Sequence, residues 1–360
     1  MRSRVVVAVL VILIVAASVA SYGLGYSAGS SAAPARGVTT IAASLYAPYL
    51  SSVLNGSGVG GTVVGMGSVA AARQVILEPS AYGIFLSVDP AVIEDLLVPR
   101  GISSWYVAIA GDSMVIGISP ALRGSAAYRE LVQLNGTLAA AEASGNWTEA
   151  RGALDGILSI VLSGKYPVGT SDPNTDPEGY RALMVMQLAG IWIHGDSGYY
   201  LSRLEALNSS GQLYEVPMGS ALFAYLESGR VGFDVALYES SAAQQGIPRI
   251  VLPPQVNLGD PSYSGLYSQA SVEIVSGGMP VDLHGAPIYI CFTIPNQYPG
   301  KTEAALAALY MVSPPGQALL RRYGANPLPR ALLYGNASRV PYPLSALVNT
   351  SVLEYAGPIN

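Results

Sequence analysis

The chain contains one cysteine, Cys291, and two histidines, His194 and His284, among 360 residues. A lone cysteine excludes an internal disulfide, and so small a Cys/His set cannot assemble the usual zinc ligands or a Cys/His catalytic pair. Charge is equally scarce. Asp, Glu, Lys and Arg make up 11% of the residues, against about 25% in an average soluble protein. The 18 basic side chains are outnumbered by 23 acidic ones, for a net charge of −5, and no run of Lys or Arg occurs. A phosphate-tracking stripe is therefore missing, and nucleic acid is not an expected partner. Apolar residues reach 51%, which excludes disorder through lack of hydrophobic surface. At roughly 150 residues per domain the length implies about two folding units.

The first 36 positions read as an address rather than as fold. Arg2 and Arg4 precede an unbroken apolar run from Val5 to Ala17, and no further charge occurs before Arg36. A basic start followed by an apolar segment and the small residues Ser18-Val19-Ala20 is the pattern of an export signal. The same stretch, continued to Leu24, also has the length of a membrane anchor, with Ser27 to Arg36 as a flexible tether. Either way the rest of the chain is expected on the extracellular face of the membrane, which it meets only through this segment. Six Asn-X-Ser/Thr acceptors, at Asn55, Asn135, Asn146, Asn208, Asn336 and Asn349, agree with export and make the chain a candidate glycoprotein.

Beyond residue 36, strand-like and helix-like segments alternate, which predicts an α/β fold. Gly37 to Ser44 and Gly61 to Met66 read as strands, each followed by a helical pattern. Ala81 to Val88, Trp105 to Ala110 and Met114 to Ile118 add buried strands. Ala121 to Ser163 reads as helical with a break near Gly145. A second set runs from Tyr166 to Gly169, through a helix from Gly179 to about Trp192, to the strand Val231 to Tyr238. Pro287 to Pro295 supplies a further strand, and helices follow at Lys301 to Val312 and Pro315 to Tyr323. Two sandwiches of helix and sheet joined by two extended crossings are expected, with a ligand at the carboxyl ends of the strands.

Three loops place hydroxyl or backbone donors where a helix begins, and there the unpaired N–H groups and the helix dipole favour an anion. They are Ala43-Ser44, Gly67-Ser68 and Ser171 to Arg181 (SDPNTDPEGYR). Simple N-capping by Ser44, Ser68 or Asp176, with Pro177 at the first helical position, accounts for each loop taken alone. His194 and His284, isolated among apolar or glycine-rich neighbours, read as structural or surface residues.

With these pieces in place, the chain resembles the archaeal-type molybdate/tungstate-binding proteins of ABC transporters, within the two-lobed periplasmic solute-binding superfamily. The resemblance rests on SDPNTDPEGYRALMVMQLA at Ser171 to Ala189, with AASLYAP at Ala42 to Pro48 and GSVAAAR at Gly67 to Arg73. SSWYVAIAGDSMVIG at Ser103 to Gly117, LESGRVGFDVALYESSAAQQG at Leu226 to Gly246, LPPQVNLGDPSYSGLY at Leu252 to Tyr267 and SPPGQALLRRYG at Ser313 to Gly324 extend it. It implies that Ser44 and Ser68 donate to an oxyanion from the first lobe, and that Tyr238 donates its phenol from the second. It also implies that Asp176 approaches the molybdenum or tungsten centre and helps expand its coordination. Gly219 stands where the family has a second, glutamate ligand, so a tetrahedral anion held only by donors stays open. Glu178 stands where the family commonly has cysteine, and its carboxylate is expected to turn to solvent. Glu215 or Glu239 could replace the missing glutamate, but neither is expected to, since Glu239 follows Tyr238 and should point to the other face of its strand. Arg181 is expected either to balance Asp176 or to lie exposed on its helix.

The resulting expectation is a non-enzymatic extracellular receptor with a type II periplasmic-binding-protein fold. Residues 37–114 and 260–360 form lobe I, residues 115–259 form lobe II, and the ligand cleft lies between them. A monomer without cofactor is expected, binding tungstate or molybdate and delivering it to an ABC permease. Sulfate or phosphate binding, an esterase using Ser44 or Ser68 in the same cleft, and an envelope protein that has lost its ligand are the alternatives. No histidine or lysine in the matched motifs would activate a serine, which weighs against the esterase.

Overall fold

The computed structural model describes residues 37–359, so the expectations for the N-terminal segment fall outside the described residues. Its core is two mixed sheets and a separate hairpin. The chain opens with a strand–helix–strand–helix unit: β1 (Val38–Ala43), α1 (Ala47–Gly56), β2 (Gly61–Met66) and α2 (Ser68–Leu77). β1 is apolar and β-branched, is buried along almost its whole length, and pairs in parallel with β2 and β3 (Phe85–Ser87). Burial on both faces explains why it reads as a continuous apolar run rather than an alternation. β4 (Trp105–Gly111) then runs antiparallel to a late strand of the chain, and only Asp112 and Ser113 separate it from β5 (Met114–Ile118) in the other sheet.

The second sheet begins with β5, which is followed by two packed helices, α3 (Ala126–Ser144) and α4 (Trp147–Val161), separated by Asn146 and by Gly145 in the left-handed conformation (φ 71°). That glycine caps α3, which is why the helical pattern breaks there. β6 (Val168–Ser171), α5 (Pro177–His194), α6 (Gly198–Ser209), β7 (Leu213–Val216), α7 (Leu222–Glu227), β8 (Phe233–Tyr238), α8 (Glu239–Gln245) and β9 (Arg249–Val251) complete it, in the order β7-β6-β8-β5-β9. The chain then forms the hairpin β10 (Ser271–Ser276) and β11 (Met279–His284) and returns through β12 (Tyr289–Thr293). Helices α9 (Lys301–Val312) and α10 (Pro314–Arg322) precede β13 (Asn326–Gly335) and β14 (Leu353–Gly357), which finish a seven-stranded sheet in the order β14-β13-β4-β12-β3-β1-β2.

The backbone thus passes between the sheets twice, once through Asp112-Ser113 and once between β9 and β12. The sequence pattern did not anticipate β7, the hairpin, or β13 and β14. β13 carries two prolines and a register shift where it pairs with β4, which weakens its strand signature. The hairpin strand β10 alternates exposed with buried residues, a strand signature that the sequence reading passed over.

Candidate functional site

Ser44 stands directly after β1, and Ser68 follows β2 after Gly67, both at the carboxyl edge of the first sheet. Neither is an N-cap. Ser44 opens a short helical turn and its Oγ lies 3.0 Å from Oγ of Ser220, which belongs to the second sheet's connections. Ser68 is the first residue of α2, with Gly67 as the cap. Its buried Oγ accepts from Val88 N at 3.4 Å, which leaves its own proton free to donate. Gly67 is glycine because the opposite half approaches it: a Cβ there would lie 2.3 Å from the Thr175 carbonyl oxygen and 3.1 Å from Cβ of Asp176. Ala70 N donates to that same Thr175 carbonyl at 3.0 Å. The start of α2 is therefore pressed against the loop that opens α5.

That loop is held by its own side chains. Asp172 accepts from Asn174 N at 2.8 Å, and Asp176 caps α5 by accepting from Glu178 N at 3.0 Å, with Pro177 filling the position where no donor is needed. The second Asp176 oxygen accepts from Gly219 N at 3.4 Å. Asp176 is thus both the cap expected from sequence and a tie to the segment before α7.

Glu178 departs from expectation. Its side chain is not turned to solvent; the residue is 1% exposed, and neither carboxylate oxygen has a hydrogen-bond partner. A Cβ on Gly219 would lie 2.2 Å from Oε2 of Glu178, so the carboxylate fills the space that a side chain at 219 would enter. Pro177 and Asp176 dictate this, since capping fixes the first helical turn and points its second residue inward. Tyr238, the last residue of β8, is fully buried and its hydroxyl is also without a partner.

Sequence reasoning missed Asp234. It lies on β8, fully buried, with Oδ1 accepting from Ala236 N at 3.2 Å and Oδ2 unpartnered. The signal was present, since an acid interrupts the otherwise apolar run VGFDVALY. Burial pushes the Asp176 carboxyl up to about 6, against the hydrogen bonds from Glu178 N and Gly219 N that hold it down. Glu178 is pushed well above the ordinary range by burial and then by the neighbouring charges of Asp234 and Asp176, and Asp234 is raised by burial. Burial and mutual repulsion thus both disfavour the charged forms of these acids. Among the described residues, no three His, Cys, Asp or Glu side chains are grouped so as to hold a metal ion.

Arg181 neither balances Asp176 nor lies exposed. It is fully buried and grips Asp89 of the first sheet's side with Nε at 2.6 Å and Nη2 at 2.8 Å, while Tyr180 donates to the same carboxylate at 2.5 Å. A bidentate pair of this kind is strong and directional. Further contacts join the halves. Arg73 of α2 donates at 2.5 Å to the Asn174 carbonyl and at 2.5 Å to that of Val275 in the hairpin. At the first crossing, Tyr46 donates to Ser240 at 2.8 Å and Ser240 donates to Asp112. Glu239 faces Ser113 and Arg249 at this crossing, and Glu215 is exposed on β7, so neither reaches the Asp176 cluster. His194 bonds Tyr200 and Asp155 at the far end of α5, consistent with a structural role.

A sequence profile described as bacterial extracellular solute-binding protein matches residues 55–326. A solute-binding protein of Saccharolobus solfataricus is 27% identical over 328 residues, covering 89% of this chain and 78% of the relative. The molybdate/tungstate-binding protein WtpA of Pyrococcus abyssi is 25% identical over 297 residues, covering 78% of each. Among solved structures, the periplasmic molybdate-binding protein of Azotobacter vinelandii matches with a TM-score of 0.51 at 15% identity, over 81% of this chain and 100% of its own. The sulfate-binding protein SubI of Mycobacterium tuberculosis matches with a TM-score of 0.50 at 11% identity, over 90% and 94%. At these identities the structures speak for the fold alone, and that fold is two-lobed. The chain belongs to the bacterial extracellular solute-binding protein family and has the two-lobed α/β architecture of the type II periplasmic binding proteins.

Proposed function

We propose that this protein captures a tetrahedral oxyanion, tungstate or molybdate, between its lobes and delivers it to an ABC permease. Residues 37–114 and 260–360 act as lobe I and residues 115–259 as lobe II, with the crossings as hinges. The observation that carries the reading is the set of buried polar atoms without protein partners, Tyr238 Oη, Glu178 Oε1 and Oε2 and Asp234 Oδ2, together with the contacts that bring Gly67 against Asp176 and Ser44 against Ser220. Buried polar groups in a folded protein are almost always satisfied, so a polar guest is the missing partner.

Ser44 and Ser68 supply hydroxyls from one lobe, and Tyr238 supplies its phenol from the other. A small dianion gathers these donors and the positive ends of two helices without any basic side chain. The relatives named for molybdate and tungstate, and the motif resemblance, support this ligand class. Asp176 is the acid placed to reach the central atom. Sequence and family agree on a transport role at the extracellular face, with no catalytic step required.

Differential scanning fluorimetry of the purified chain with tungstate, molybdate, sulfate and phosphate tests the proposal. A ligand present at about 100 times its Kd stabilises by about 2.7 kcal/mol, an easily read rise in Tm. Tungstate and molybdate should give that rise. Stabilisation by phosphate alone would move the ligand class, and stabilisation by none would reject the proposal.

A further inference from the structure

Helices α5 and α6, β6 and the edge strand β7 line a cavity of about 360 Å³, against which β10 of the hairpin sets Ser271 and Val272. Leu183 and Gln187 of α5 and Leu201, Leu204 and Glu205 of α6 reach it, each set spaced along one helix face. At about 3.6 residues per turn, Glu178 and Arg181 fall on the other side of α5, so this cavity lies apart from the Glu178 carboxylate. In the parallel pair β6–β7, Thr170 is the register partner of Glu215 and Val168 that of Leu213, which turns Thr170, Leu213 and Glu215 to one face of the sheet. All three line the cavity. Leu183, Leu201 and Leu213 stay half-buried there, whereas Thr170 is 5% exposed and its hydroxyl has no partner. Glu205 and Glu215 are exposed at the rim, no Lys, Arg or His lines the space, and among the described residues neither carboxylate meets a base. Burial and then the charge of Asp172 hold the Glu215 carboxyl above its ordinary value.

We propose that this cavity is a second ligand site, built for an organic ammonium ion with an apolar body. The inference goes beyond the oxyanion reading and stands without it. A small-molecule site typically has about 300–1,000 Å³, mostly apolar walls and a few placed polar groups, and the cavity has each of these. The leucines of α5, α6 and β7 cover the apolar body. Glu205 and Glu215 face the charge from two sides, and Thr170 Oγ1 accepts one ammonium proton. An ammonium group has three donors and no acceptor, which matches two carboxylates and a hydroxyl. It also supplies the partner that a buried hydroxyl such as that of Thr170 ordinarily has. A neutral alcohol of the same length gains the apolar contacts alone, and a carboxylate is repelled by the rim.

The test is calorimetric titration of hexylammonium, hexanol and hexanoate into wild type, Thr170→Val, and the double variant Glu205→Gln with Glu215→Gln. Hexylammonium should bind wild type saturably at one site, hexanol at least about 10-fold more weakly, and hexanoate not at all. The double variant should weaken hexylammonium by about 10-fold or more and leave hexanol within about 3-fold of wild type. Thr170→Val, which removes a buried hydroxyl without a partner, should keep or raise the ligand-free Tm while weakening hexylammonium by about 3- to 10-fold. No saturable binding of hexylammonium, equal binding of hexanol, or an unchanged affinity in the double variant would each overturn the proposal. Should Thr170→Val not fold, the double variant still decides, because both of its changes are at exposed positions.

Discussion

Tyr238 ends β8 with a buried hydroxyl that has no protein partner, and Ser68 holds a proton free to donate. A hydrogen bond to a charged acceptor contributes about 1.5–3 kcal/mol, so Tyr238→Phe and Ser68→Ala should each weaken tungstate by about 10- to 100-fold, with little change in the ligand-free Tm for Tyr238→Phe. Titration calorimetry reads both, and affinities within about 2-fold of wild type would remove these residues from the site. Asp112 gives a pH prediction. Burial raises its carboxyl to about 6, above the ordinary 3.8, despite hydrogen bonds from Ser240 and Ser113, with Glu239 adding to the rise. Because the fold favours the protonated acid, its contribution is complete below about pH 4 and is lost as pH rises through 6. Between those limits wild type should lose on the order of 2–3 kcal/mol relative to Asp112→Asn in urea unfolding. Parallel profiles would refute the shift. Tyr46, Glu239 and Arg249 are the other titratable groups around this crossing, and they stay the same in the comparison. At this scale the sequence was only partly legible. Ser44, Ser68, Asp176 and Tyr238 came from motif position, but the inward turn of Glu178 depends on how Asp176 caps its helix and on the empty Cβ position of Gly219. Neither is written in a local pattern.

The start of α2 and the loop that opens α5 meet so closely that only glycine fits at 67. Gly67 has φ −59°, which any residue adopts, so Gly67→Ala strains nothing within its own lobe. The added methyl collides with the Thr175 carbonyl only when the lobes are together. This variant should keep its far-ultraviolet circular dichroism and fold normally while tungstate affinity falls about 100-fold or more. Unchanged affinity would mean that the α2–α5 contact is not part of the bound form. The helices and buried strands of these elements were readable because apolar periodicity and capping residues agree, as at Asp176-Pro177 and Gly145. β13, which lies between β14 and β4, was not, since its pairing is long-range and it carries two prolines; the hairpin β10–β11 pairs locally across Gly277-Gly278, and its alternation was passed over.

Over the whole molecule, buried polar contacts add to the apolar core in joining the halves. The buried Asp89–Arg181 pair is the strongest of them. Asp89→Asn leaves a guanidinium buried without its counter-charge and should cost about 3–5 kcal/mol in unfolding experiments. Small-angle scattering of the ligand-free variant should show a larger radius of gyration than wild type, because the contact joins elements following different sheets. An unaltered scattering profile would show that the pair stabilises without closing. Two sheets and two crossings could be anticipated from the alternation of elements, whereas Asp89 could not, because its partner lies 92 positions away. The central claim is that a small dianion completes the cleft. Isothermal titration of tungstate into the protein measures it directly: one site per chain, with a Kd in or below the micromolar range, equivalent to about 8 kcal/mol or more, and competition by molybdate are predicted. Absence of heat and of competition across tungstate, molybdate and sulfate would contradict it.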